Sequence, residues 1–144
     1  MTDKNYVKNR LDDQIDWYSK NATKNKSRFH GFQIAVIIIG AIIPLVNLVD
    51  FAPTEIRIIS SILGVIIVGV SGILQLKKYH ENWISYRSTE EALKKEKYTY
   101  ENNAGEYSGL DEEKKLKLLV ENVESTISNQ NVVFFITHKK GESQ

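Results

Sequence analysis

The chain has 144 residues, room for one domain, and its charged residues balance to a net charge of +1. That balance gives no global attraction to nucleic acid, and the absence of cysteine excludes disulfides and thiolate metal sites. The mean hydropathy of −0.31 averages an apolar middle with long charged flanks.

Residues 1–28 are expected to form an N-terminal cytoplasmic helix, helical from residue 5. Val7, Leu11, Ile15 and Tyr18 recur at helical spacing and make one apolar stripe, with Asp12, Asp13 and Asp16 away from it. Trp17 adds aromatic surface, and Lys20, Lys24, Lys26 and Arg28 suit anionic lipid headgroups at ~1 kcal/mol per basic residue.

Residues 29–76 read as a transmembrane hairpin, with spans 29–49 and 58–76 and an outside turn 50–57, DFAPTEIR. Neither span contains a charge, whereas a soluble core helix usually keeps a charged stripe. Each is about 20 residues, which at ~1.5 Å per residue crosses the ~30 Å hydrocarbon layer. The first span follows a long mixed-charge segment and is followed at once by the second, so it is not read as a cleavable signal. Lys20, Lys24, Lys26 and Arg28 before the first span, and Lys77 and Lys78 after the second, put both termini in the cytoplasm. Phe29, Phe32, Phe51, Tyr79 and Trp83 fall near the expected interfaces, where aromatic rings are favoured.

Each span carries a sparse polar or small-residue side. On the first it is Gln33, Gly40, Pro44 and Asn47. An amide facing lipid is costly, so this side is expected to face protein or water, and Pro44 should kink the helix. On the second it is Ser61, Gly64, Val68, Ser71 or Gly72, and Gln75. Small residues let membrane helices approach closely. These ten positions are candidate pore-lining or helix-contact residues. The hairpin packs on itself through them, or they line a pore. Two helices cannot enclose a water path, so a pore demands several subunits.

Residues 77–144 form a cytoplasmic helical region with helices at about 77–102 and 110–137. No glycine or proline separates Leu76 from Tyr100, which predicts one helix running on from the second span. Leu76, Tyr79, Trp83, Tyr86, Glu90, Leu93, Lys97 and Tyr100 alternate spacings of three and four, a heptad seam. Glu90 and Lys97, one heptad apart, are better placed to pair between helices than within one. Trp83, Tyr86, Arg87 and Glu91 make a candidate cluster coupling this helix to the rest of the cytoplasmic region. Its arginine could pair with Glu91, or with Asp13, Asp16 or Glu124 from another helix. Asn102, Asn103 and Gly105 should end the helix, and Ser108 with Asp111 has capping-box spacing for the next. Leu116, Val120, Val123 and Ile127 form the last apolar stripe. Val132 to Ile136 continue as a patch too short to span, suited to docking under the membrane surface or in the bundle. The tail KKGESQ is expected to fray.

Catalysis is not expected. His30, His80 and His138 are scattered without ligand spacing, and no phosphate loop, HExxH or nucleophile elbow is present. No cofactor or metal is implied.

ENWISYRSTEEALKKEKYTYENNAGEY, Glu81 to Tyr107, resembles the signature after the second span of the SLATT superfamily, two-helix bacterial membrane proteins. Glu81, Asn82, Trp83, Tyr86, Arg87, Glu91 and Leu93 match at fixed spacing, and RLDDQIDWYSKNATKNKSRF, Arg10 to Phe29, resembles the opening helix. The resemblance covers about residues 6–130. It implies a pore-forming effector of bacterial conflict, associated with nucleotide-producing or nucleotide-sensing modules. No nucleotide-sensing module is expected in this chain, so gating would need a separate regulatory or nucleotide-signalling partner, the chain itself, or an unrecognised ligand.

The sequence thus predicts an all-α membrane protein, a two-span hairpin packed with N- and C-terminal cytoplasmic helices, in the bacterial cytoplasmic membrane. Its leading reading is a homo-oligomeric pore or channel. The alternative is a non-conducting scaffold whose cytoplasmic bundle recruits a partner. The lipid bilayer and further copies of the chain are the expected partners, and nucleic acid is not.

Overall fold

The computed structural model describes residues 5–47 and 54–139, and every regular element among them is helical. A five-residue π-helical turn, Val7–Leu11, leads into helix α1, Asp12–Asn47. Helix α2 is Thr54–Lys77 and α3 is Tyr79–Glu101. A single 3-10 turn, Gly105–Tyr107, precedes α4, Glu112–Lys139. Asp50–Pro53 of the expected turn, including Phe51, lie outside the described residues, as do the end of the first expected span and residues 140–144 of the tail.

Two boundaries differ from the sequence expectation. The first helix does not stop near residue 28, because nothing between Asp12 and the apolar stretch breaks it, and α1 carries Pro44 within its length. The helix expected to run unbroken from the second span is interrupted at Lys78, whose φ of +48° is left-handed. That conformation costs a non-glycine residue ~1–2 kcal/mol. The turn puts Tyr79 beneath the Arg28 guanidinium, 6.0 Å from the ring centre, and the His80 ring 4.9 Å from Phe29. These contacts accompany the turn. They involve ring and cation geometry that no glycine or proline announces.

The chain divides into two compact units, 1–24 with 82–144, and 25–81. In the first, three helical segments run up, down and up. Tyr6 and Arg10 meet Glu124, Asp12 meets Lys97, and Thr89 meets Gln130, which sets α3 antiparallel to its two neighbours. Leu11, Ile15, Tyr18, Leu93, Tyr100, Tyr107, Leu119, Val123 and Ile127 form the core. The first stripe is therefore buried as its spacing predicts, with Val7 packed against its edge. The seam on α3 holds from Tyr79 to Tyr100, but Leu76 is 78% exposed. On α4 the buried face is Lys115, Leu119, Val123, Ile127 and Gln130, with Leu116 and Val120 half-buried at its margin, so the stripe is turned relative to the expected one.

The turn between α3 and α4 uses left-handed backbone at Asn103, Gly105 and Gly109, residue types that tolerate it. Asp111, not Ser108, caps α4: its Oδ1 accepts the Lys114 backbone N–H at 2.9 Å, the bond of an N-cap aspartate to the third helical residue. Lys115 is buried beside this turn, its ammonium 4.9 Å from the Tyr100 ring centre and 3.1 Å from Glu112.

The second unit is the apolar hairpin. Both of its helices are long and apolar enough to cross a membrane, and hardly any of either apolar stretch is buried. The half-buried positions Val36, Ile39, Ile43 and Val46 of α1 fall at helical spacing, as do Ile56, Ser60, Leu63, Ile67, Val70 and Leu74 of α2, with Ser60 buried outright. Ile67 reaches within 4.0 Å of where a Cβ on Gly40 would lie, so these are the facing sides.

Candidate functional site

The small and weakly polar positions of the hairpin lie largely outside its internal seam. Gln33, Gly40 and Pro44 of α1 are exposed, and so are Ser61, Val68, Ser71, Gly72 and Gln75 of α2; Gly64 is half-buried. The Asn47 side chain lies outside the described ones. A Cβ built on Gly64 or Gly72 would meet nothing within 4 Å. Gly40 alone borders the seam, through Ile67. Within one chain these small residues therefore do not bring the two backbones together; bulkier Val36, Ile39, Ile43, Ile67 and Leu74 do. The Ser61 hydroxyl donates to the Arg57 carbonyl at 2.9 Å, which satisfies its proton and leaves its oxygen able to accept. Sequence pattern does not single out Ser60, yet it is the buried residue of α2.

Of the partners expected for Arg87 the structure supplies Glu91, and it adds Glu90. Arg87 pairs within its own helix, with Glu90 at 2.9 Å and with Glu91 at 2.7 Å. Glu124, a candidate partner from another helix, is taken by the N-terminal segment. Arg10 Nε and Nη2 each donate to one Glu124 oxygen at 3.0 Å, a two-pronged contact, and Tyr6 Oη donates at 3.1 Å. The Arg10 hydrogen bond leads in holding the Glu124 carboxyl below its ordinary range. Burial, then the adjoining carboxylate, pushes the Tyr6 phenol up to about 12.

Glu90 is 1% exposed and does not pair with Lys97. Burial alone would push its carboxyl up. The Lys94 hydrogen bond at 2.7 Å, with the charges of Arg87 and Lys94, outweighs that and holds it low. Lys97 instead bridges to Asp12 on α1 at 2.7 Å. A seam position does not reveal that its partners lie on its own helix, but the spacing Arg87, Glu90, Glu91, Lys94 did carry that signal.

Aromatic rings tie the same level together. Tyr86 lies 5.6 Å from Trp17, 6.0 Å from Tyr18 and 6.4 Å from Phe134, the last nearly parallel. Beside them, Ser85 and Thr89 donate to Gln130 Oε1 at 2.8 and 3.1 Å. At the far end of the bundle Tyr107 donates to Glu96 at 2.7 Å, and Asn122 reaches both. Burial is the main reason the Tyr107 phenol is raised. These networks were not legible as sites, because polar residues in a charged helical region look like solvated surface.

Among the described residues no group of three or more histidine or carboxylate side chains is placed to hold a metal. An open groove of the bundle lies between Asp12, Asp16, Lys97 and Glu101.

A family model described as "Protein of unknown function (DUF4231)" matches residues 13–115. The chain belongs to this family. The match takes in all of the hairpin, the Arg87–Glu90–Lys94 cluster and the cap of α4, but not the apolar end of α4. No curated protein and no solved structure matches the chain.

Proposed function

We propose that this DUF4231 chain is a two-span protein of the bacterial cytoplasmic membrane, with both termini cytoplasmic, whose hairpins assemble into an oligomeric pore. The observation that carries the reading is the exposed side formed by Gln33, Pro44, Ser61, Val68, Ser71, Gly72 and Gln75, which the chain's own packing leaves unused. Small residues favour close contact between membrane helices, and amides and hydroxyls offer a wettable path that lipid would not tolerate. Spans that are hardly buried within the chain support insertion rather than a soluble core. The resemblance of Glu81–Tyr107 to the SLATT signature points the same way, to a conflict effector gated by a separate partner. In this account the Trp83–Tyr86–Arg87–Glu91 region transmits assembly or gating and does not contact the ion.

Subunit number tests the reading. Native mass determination of the detergent-solubilised protein is expected to give an oligomer larger than a dimer. A monomer or dimer would sink the pore and leave a non-conducting scaffold.

A further inference from the structure

The far end of α4 carries five successive apolar residues, Val132, Val133, Phe134, Phe135 and Ile136, between 38% and 67% exposed. At ~100° per residue, five residues pass right around a helix. A helix that docks on a protein partner presents a stripe, with polar residues elsewhere. Here the apolar surface is a collar. Phe134 spends part of its ring on Tyr86; the other four lie exposed around it.

The collar's level in the bundle is fixed. Gln130 meets Ser85 and Thr89, and Phe134 stacks on Tyr86, with α4 antiparallel to α3. Two residues further on, Ile136 comes level with Trp83 and Ile84, the latter also 51% exposed. Trp17, at the same level through Tyr86, is 49% exposed. In sequence Trp83 lies seven residues after Leu76, the last residue of the expected second span. The headgroup layer next to the end of a span favours tryptophan and phenylalanine, and apolar helix surface sinks ~5–10 Å into it. The opposite end of the bundle is unlike this one: Glu106, Asp111, Glu112, Glu113 and Lys114 are exposed there. The bundle is thus apolar at the end where α1 leaves it and α3 enters it, and charged at the other. Lys20, Lys24, Lys26, Arg28, Lys77 and Lys78 border the apolar end in sequence, the charge an anionic leaflet attracts.

We infer that the Val132–Ile136 collar is a third membrane contact, entering the headgroup layer of the cytoplasmic leaflet tip-first and anchoring the bundle there. The inference rests on the membrane reading of the hairpin. Its occupant is lipid and not a second copy of the chain, because a collar has no polar margin with which to frame a protein interface.

The natural lack of cysteine makes single labelled positions clean reporters. The full-length variants Phe135→Cys, Ser125→Cys and Ile66→Cys, each carrying a nitrobenzoxadiazole label, are reconstituted into phosphatidylcholine–phosphatidylglycerol vesicles with or without bromine near the top of the acyl chains. The inference predicts loss of fluorescence to bromolipid at position 135, none at Ser125 on the same helix, and loss at Ile66 with bromine deep in the chains. No quenching at 135 while Ile66 is quenched would overturn the collar and leave the hairpin reading intact. No quenching at Ile66 either would overturn both. A label at 135 shielded from bromolipid and from aqueous iodide alike would assign the collar to a protein neighbour and overturn the lipid assignment.

Discussion

Glu90 is a carboxylate buried on a helical seam whose two cations, Arg87 and Lys94, keep 53% and 36% of their side chains exposed. The asymmetry decides what each substitution does. Removing the carboxylate, as in Glu90→Leu, frees two cations that can turn to water, so the cost should stay within ~1 kcal/mol, as it does when buried ion pairs are replaced by apolar groups. The double variant Arg87→Ala with Lys94→Ala strands the carboxylate and should cost ~3–5 kcal/mol. Denaturation of the detergent-solubilised protein checks both, and equal losses would contradict the cluster's geometry. The pH dependence has a definite sign. Glu90 and Glu124 both titrate below their ordinary value of 4.5 when folded, so the stability they contribute is present above that value. It is lost as pH falls through their lower folded values. In the double variant Glu90 loses its cations, burial alone acts on it, and its share of the acid dependence should move to higher pH or reverse.

At the scale of elements, the hairpin's assembly is the open interface. In one chain, a Cβ added at Gly64 or Gly72 would find no neighbour within 4 Å. Gly72→Leu should therefore leave a single hairpin folded and disrupt contacts between chains, while Ile66→Leu should change neither. Helical content by circular dichroism, read beside the oligomer's mass, separates the two effects. Loss of helix together with loss of assembly would place Gly72 in the chain's own packing. The elements themselves were largely legible. The Leu11–Ile15–Tyr18 stripe and the Tyr79–Tyr100 seam had enough polar contrast to fix their phase. The hairpin's inward side was not, because helices apolar all round give periodicity no phase to read. The Lys78 interruption was hidden for another reason. Lysine seldom adopts a positive φ, and the Arg28 and Phe29 contacts that accompany the turn come from a different helix, far earlier in the chain. Glu91 was legible as one partner of Arg87, but choosing it over Asp16 and Glu124 needs the helix placement that gave Glu124 to Arg10, and Glu90 was not foreseen.

For the whole molecule, the basic flanks at both ends of the hairpin and the acidic character near its turn predict which segments face the cytoplasm. Thr54→Cys should react with an impermeant thiol reagent from outside intact cells, and Ser125→Cys only after permeabilisation. The reverse pattern would invert the topology and place the bundle outside.

Conduction is the central claim, and ion flux through vesicles reconstituted with the purified protein tests it most directly. The account predicts a flux that depends on protein, that changes in ion preference with Gln75→Ala, and that falls with assembly in Gly72→Leu. Vesicles that contain correctly assembled oligomers and stay as tight as protein-free ones, across membrane potentials and with cytoplasmic extract supplied as a source of gating partners, would contradict it.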